Sequence, residues 1–200
     1  IYLSNNSREI IIDTTFEKYK KNLKKKLLQD TIRQRKRLSK FGKLRFVIVK
    51  NSNEEKIFFE NFYKQKSKRY VSTGERDIFK DQNIKNFYRS FTPLINKKIN
   101  LSYLILNNEI LATHLGIFDE NKYYFLMPTF NHKWSNFSTG RILMEEIIFW
   151  AFKNKFKIFD FTIGDEAYKL QWSNNKKILY EVFDYNSLSG FIFWILVKIK

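Results

Sequence analysis

Three strand-like runs separated by very short turns constrain this chain more than any other feature. Leu101 to Leu106, Ile110 to Phe118 and Tyr123 to Met127 are rich in apolar, β-branched and aromatic residues, and only Asn107-Asn108 and Asp119-Glu120-Asn121 stand between them. Such short connections imply antiparallel neighbours. After a polar loop from Pro128 to Ser138, Leu143, Ile147, Trp150 and Ala151 line one side of a helix that begins near Gly140. Phe156 to Phe161 then reads as a short aromatic strand, which makes one strand–helix–strand crossover. Ile178 to Asp184 reads as another strand.

Helices are expected before the sheet. Thr14 and Glu17 have capping-box spacing, and Tyr19, Leu23, Leu27, Leu38 and Phe41 share one helical stripe, so residues 14–41 read as a long helix stopped by Gly42. Its other faces carry Lys18, Lys20, Lys21, Lys24 to Lys26, Arg33, Arg35 to Arg37 and Lys40. Leu44 to Val49 alternates as a strand. Ser52 and Glu55 offer a second capping box ahead of Ile57, Phe58, Phe62 and Tyr63. Residues 65–80 are polar, contain Gly74 and read as a mobile loop. Ile84, Phe87, Tyr88 and Phe91 mark a third helix that Pro93 ends or kinks. The resulting class is α+β, a mixed and mostly antiparallel sheet flanked by helices. No repeat or low-complexity linker divides it, so residues 1–200 are expected to form a single domain.

At 200 residues the chain can bury a sizeable core, and 21 Phe and 11 Tyr supply the material. It has no cysteine, which excludes a disulfide frame, a thiol nucleophile and a thiolate metal site. The two histidines, His114 and His132, are far apart, so no metal centre is expected. The chain starts Ile1-Tyr2-Leu3 without a secretory signal pattern and reads as a fragment. Lack of cysteine fits a reducing compartment, so the expected location is the cytoplasm. Phe191 to Val197 is apolar but shorter than the roughly 20 residues a spanning helix needs. It reads as a closing helix or strand, or as a contact with the inner membrane face aided by Lys198 and Lys200.

One string gathers most of the chemistry. Phe159-Asp160-Phe161-Thr162-Ile163-Gly164-Asp165-Glu166-Ala167-Tyr168-Lys169-Leu170-Gln171-Trp172 runs from an aromatic strand through a glycine turn into a helix-compatible segment. It resembles the Asp-Phe-x-x-Gly-Asp-Glu-x-Tyr-Lys-x-x-Trp string of GNAT-like acyltransferase domains of the CelD type, a family named for its association with bacterial cellulose biosynthesis. Upstream, Tyr123 to Asn131, Trp134 and Phe137-Ser138-Thr139-Gly140-Arg141-Ile142-Leu143 resemble the family's tyrosine-rich strand and its Ser-Pro-Gly-x-x-Leu segment, as do Phe87-Tyr88-Arg89 and the basic helix ending at Phe41-Gly42. Thr139 replaces the family's frequent proline and Asn131 its frequent aspartate. The resemblance implies a GNAT-like fold, acetyl-CoA as acyl donor, an amine acceptor and an upstream half of similar architecture, so that this segment is the C-terminal part of a longer chain.

An acyltransferase must hold a thioester donor by its phosphates and deprotonate an amine beside the carbonyl. Ser138, Thr139, Gly140 and Arg141 open a helix, where free N–H groups and the positive dipole end favour pyrophosphate. The alternative is an ordinary helix start capped by Ser138 or Thr139. Asp160, Asp165, Glu166, Tyr168 and Lys169 form the second set: crowded carboxylates raise one another's pKa when buried, which suits a general base. Tyr168 resembles the position at which GNAT enzymes place the acid for the departing thiolate, while Lys169 and Trp172 support the turn. The same residues would also serve a purely structural knot. His114 alternates with Ile110, Ala112, Gly116 and Phe118 and is either a packing residue or part of a substrate groove. His132 and Trp134 are expected to shape the groove.

The formal net charge is +17. Three readings of the basic helix remain: a solvated face, a nucleic-acid contact, and an anionic-substrate or membrane contact. The expected activity is N-acyl transfer, most simply acetyl transfer, from acyl-CoA to an amine of a sugar, envelope or polysaccharide precursor or small molecule. Two alternatives stand beside it: a Fem-like aminoacyl or peptidyl transferase receiving charged tRNA, and a non-catalytic nucleic-acid or lipid-binding module on the same scaffold.

Overall fold

Seven strands build one sheet in the computed structural model, which describes residues 2–181 and 185–198. They are β1 (Tyr2–Ile11), β2 (Leu44–Ile48), β3 (Ile99–Leu106), β4 (Glu109–Phe118), β5 (Lys122–Phe130), β6 (Ile158–Ile163) and β7 (Asn175–Glu181), ordered β2-β3-β4-β5-β6-β1-β7. All neighbours are antiparallel except β5 and β6. That exception follows from the crossover helix α5 (Thr139–Lys153), since a helix between two adjacent strands returns the chain to the end it left. The expected α+β sheet is therefore present. So are the two tight turns between β3, β4 and β5.

Two apolar layers sandwich the sheet. On one side α5 buries Ile142, Leu143, Met144, Ile147, Ile148 and Ala151 against Leu104, Leu111, Phe125, Phe159 and Phe161. Each of the Leu, Ile, Met and Phe side chains contributes about 1.5–3 kcal/mol when fully buried. On the other side α3 (Ser52–Thr73) packs Phe58, Phe59, Phe62 and Tyr63 onto Leu101, Tyr103, Ile110 and Leu115.

Several expectations need correction. The predicted helix 14–41 is two helices, α1 (Phe16–Lys21) and α2 (Lys25–Leu38), and the N-cap is Thr15, whose hydroxyl accepts from Lys18 N. Asn22 caps α1, with its N–H bonded to Tyr19 and Lys20 carbonyls, and the break leaves Tyr19, Leu27 and Leu38 all buried in the α5-side core. Residues 65–73 are not a loop but the last turns of α3, which ends at Gly74 in the left-handed conformation (φ 74°). Its cap lies one residue earlier than expected: Asn51 accepts from Glu54 N, and Glu54 accepts from Lys50 N. The third helix, α4 (Gln82–Arg89), stops before Pro93 as the residue pattern indicates.

The N-terminal strand has no strand signature. Ser4 to Glu9 is polar, yet β1 lies between β6 and β7 and pairs with both. The last predicted strand begins earlier, at Asn175, and Val182 to Asp184 lie outside the described residues. After α6 (Ala167–Trp172) and β7, the chain closes with α7 (Leu188–Lys198), on which Leu188, Ile192, Phe193 and Leu196 are exposed. No helix among the described residues is long and apolar enough to cross a membrane.

Candidate active site

β5 and β6 separate after three rungs. Lys122, Tyr123 and Tyr124 pair with Ile158, Phe159 and Asp160, and beyond them the strands diverge although β5 continues to Phe130 and β6 to Ile163. A cleft of about 280 Å³ opens in the gap. Phe125 and Pro128 of β5 and Phe161 of β6 supply its apolar wall. Glu166, Tyr168 and Lys169 enter from the turn and helix that follow β6, and Lys66 and Arg69 enter from α3.

The turn after β6 is shaped by its own side chains. Asp160 Oδ1 accepts from Thr162 N at 2.7 Å and from Ser7 Oγ at 2.6 Å, and Asp160 Oδ2 lies 2.6 Å from Lys122 Nζ. Thr162 is held at φ 63°, a left-handed conformation rarely adopted by β-branched residues. Gly164 follows at φ 116°, where a Cβ would lie 2.3 Å from Glu166 Oε2. Glycine is needed here both for the dihedral and for the return of Glu166 over the turn. Lys169, 3% exposed, then donates to Ile163 O at 2.5 Å and pairs with Glu166 Oε2 at 2.9 Å.

The expectation of mutually raised carboxylates is overturned, because each acid has acquired its own cation. Burial would raise Asp160, but Lys122, Ser7 and Thr162 N hold it below the usual range. Asp165 is turned toward β1, where Asn6 Nδ2 (2.5 Å) and Arg8 Nε (2.6 Å) hold it low. Desolvation of Glu166 is likewise outweighed by Lys169. Of the three, only Glu166 lines the cleft. Tyr168 lies beside it, about a third exposed, with its phenol pushed up to about 12 by desolvation and then by Glu166. Trp172 is wholly buried and its carbonyl accepts from Tyr19 Oη, fastening α6 to α1.

His114 belongs to the interior. It is fully buried, its ring stacks on Phe125 at 4.3 Å between centroids, and Nδ1 lies 3.3 Å from Tyr123 Oη. Desolvation, followed by the charge of Lys66, keeps it neutral well below its ordinary pKa. A bulge shifts the expected alternation: Leu104 pairs with Ala112 but Ile105 with Ile110, so Leu111 is extra and Ile110 faces the opposite core. The groove role weighed for His114 finds no opening to the cleft.

Ser138, Thr139, Gly140 and Arg141 do not line the cleft that Glu166 and Tyr168 line. Ser138 is at φ 52° and does not cap α5; its hydroxyl instead accepts from Arg141 Nη2 at 2.8 Å. Thr139 is buried with its hydroxyl unpartnered. The two sets are linked through β5, whose Phe125, Leu126 and Pro128 line the cleft and whose last residue, Phe130, lies 3.5 Å from where a Gly140 Cβ would sit. His132 belongs to the 3-10 segment His132–Phe137 before α5, and Trp134 of that segment packs edge-on against Phe41.

The family model of the acetyltransferase (GNAT) domain matches residues 25–170, nearly three quarters of the chain. This chain belongs to the acetyltransferase (GNAT) family. The match runs from the first residue of α2 into α6 and so includes both the α5 start and the β6–α6 turn. Among solved structures the GNAT domain is similar to FemX, with a TM-score of 0.64 and 11% identity over 86% of this chain and 59% of that one. It is also similar to the C-terminal domain of a protein assigned as a lysylphosphatidylglycerol synthetase from Agrobacterium fabrum (TM-score 0.56, 11% identity, 89% and 58%). A conserved protein of unknown function from Bacteroides thetaiotaomicron gives a TM-score of 0.54 at 10% identity over 89% and 60%. At these identities the likeness is one of fold, and the chain spans about three fifths of the length of each. No curated protein matches it.

Sequence reasoning missed Lys66 and Arg69. A signal was present: Phe58, Phe62 and Lys66 recur at four-residue intervals, which places a lysine on the buried face of a helix. Taking residues 65–80 as a loop concealed it.

Proposed function

We propose that this acyltransferase moves an acyl group, acetyl in the simplest case, from a coenzyme A thioester to an amine held in the β5–β6 cleft. The observation that carries this reading is the divergence of the two parallel strands after three rungs with Tyr168 and Glu166 at the opening. The unpaired edges leave backbone groups for an extended donor, and the α5 start, with no side-chain cap, leaves N–H groups for its pyrophosphate. The amine nitrogen attacks the thioester carbonyl, which makes the nitrogen cationic and acidic, the C–S bond breaks, and the proton passes to the Glu166 carboxylate that Lys169 keeps ionised. Tyr168 protonates the leaving thiolate, and its high pKa keeps that proton in place at neutral pH. Asp160 and Asp165 hold the turn. The resemblance to the CelD type makes a sugar, envelope or polysaccharide precursor the favoured acceptor, in the cytoplasm or at the inner membrane face.

Charged tRNA as donor is the competing reading, supported by the likeness of fold to FemX and by the excess of basic residues. The arginines of α2 argue for the thioester. Arg35 is taken up by Glu145 and Glu146 at 2.8 and 2.5 Å, Arg33 by Asp30, and Arg37 lies over Phe137. Calorimetric titration with acetyl-CoA, with charged tRNA and with duplex RNA separates the readings. Saturable acetyl-CoA binding with little RNA binding is expected; tRNA binding with a steep salt dependence and no coenzyme binding would replace this proposal.

A further inference from the structure

Lys66 brings into the cleft a buried charge that forms no ion pair among the described residues and is offset by Glu75 only at a distance. It is 8% exposed, yet among the described residues neither a carboxylate nor a carbonyl accepts from its ammonium. Arg69 stands one helical turn further along α3, exposed, also lining the cleft and also without an ion pair among the described residues. The other cation there is committed, since Lys169 is bound to Glu166 and to Ile163 O. Glu166 is therefore matched, and Glu75 is the remaining carboxylate of the lining. Burying an ammonium without a partner is costly, and two unpaired cations one turn apart repel each other. An anion between them would relieve both penalties.

We infer that Lys66 and Arg69 form a subsite for an anionic group, a carboxylate or a phosphate, carried by the amine acceptor. This rests on the acyl-transfer reading of the cleft. The cations on α3 face Tyr168 and Glu166 across the gap, so an acceptor anchored there by its acid group presents its amine toward the reacting residues. The specificity that follows is for amino acids, amino-sugar phosphates or similar anionic amines over neutral amines. Desolvation, with repulsion from Arg69, lowers the Lys66 pKa to about 8, which makes it readily acylated by an amine-reactive reagent near neutral pH and supplies a direct readout.

The test follows labelling of Lys66 by an acetylating reagent, read by mass spectrometry, in chloride, inorganic phosphate or acetate at equal ionic strength and without any donor. Phosphate or acetate should slow Lys66 labelling several-fold relative to chloride while exposed Lys26 is unaffected, and the anion that protects identifies the source. Arg69→Gln should abolish most of that protection. No protection by either anion, or protection equal to that in chloride, overturns the subsite. Loss of the anion's effect when coenzyme A is saturating would assign the cations to the donor and overturn the acceptor assignment. Anion protection in a protein that fails to bind coenzyme A would sink the thioester reading while leaving the subsite standing.

Discussion

Lys122 Nζ lies 2.6 Å from Asp160 Oδ2 and 2.9 Å from Glu9 Oε1, joining β5, β6 and β1 across the three rungs, with Lys122 on the first and Asp160 on the last before β5 and β6 part. All three side chains are largely buried, so the bridge fixes where the cleft begins. Desolvation of Lys122 is more than offset by Asp160 and Glu9, and its pKa is raised.

Removing the cation strands two buried carboxylates. Lys122→Met should destabilise the fold by about 3–5 kcal/mol, the usual result of breaking one side of a buried pair. Denaturant unfolding checks this. Because the Asp160 pKa is lowered, its contribution is complete above its ordinary pKa of 3.8 and is lost as pH falls through the depressed value. Asp160→Asn should accordingly flatten the acid limb of the stability profile.

Lys66 predicts the opposite sign. A lysine whose folded pKa is lowered costs stability while both states are protonated, and that cost is relieved as pH rises from about 8 toward 10.5. Lys66→Met should stabilise the protein by up to about 3 kcal/mol at pH 7, with the gain shrinking across that window. Unfolding midpoints at pH 7 and pH 10 decide the point, and a gain independent of pH would remove the buried charge from the account.

Tyr168→Phe deletes one hydroxyl from a residue that is not part of the core. Turnover should fall by about 10²- to 10⁴-fold with coenzyme affinity and thermal stability near those of the parent. Unchanged turnover would make Tyr168 a wall of the cleft rather than its acid.

The legible parts of this fold were local. Asn107-Asn108 and Asp119-Glu120-Asn121 announced two hairpins, and the spacing of Leu143, Ile147, Trp150 and Ala151 announced α5. The string from Phe159 to Trp172 led to the turn that Glu166 and Tyr168 bring into the cleft. What stayed hidden depends on distant partners. β1 is polar because Ser7, Arg8 and Glu9 serve Asp160, Asp165 and Lys122, residues more than 110 positions away. The separate fates of Asp160 and Asp165 were likewise invisible, since each was decided by a cation from another strand, whereas the pairing of Glu166 with Lys169 three residues on was legible in the string itself.

Coenzyme A affinity of the parent and of Gly140→Asp, measured side by side by calorimetry, tests the acyl-CoA assignment most directly. A Cβ at Gly140 meets only the Phe130 ring at 3.5 Å, an ordinary contact, so the variant should fold normally. The added carboxylate would then stand where a pyrophosphate must approach the α5 start. The account predicts saturable binding by the parent and at least about a tenfold loss in the variant, about 1.4 kcal/mol. Equal affinity in a folded variant, or a parent that binds no coenzyme, would contradict it.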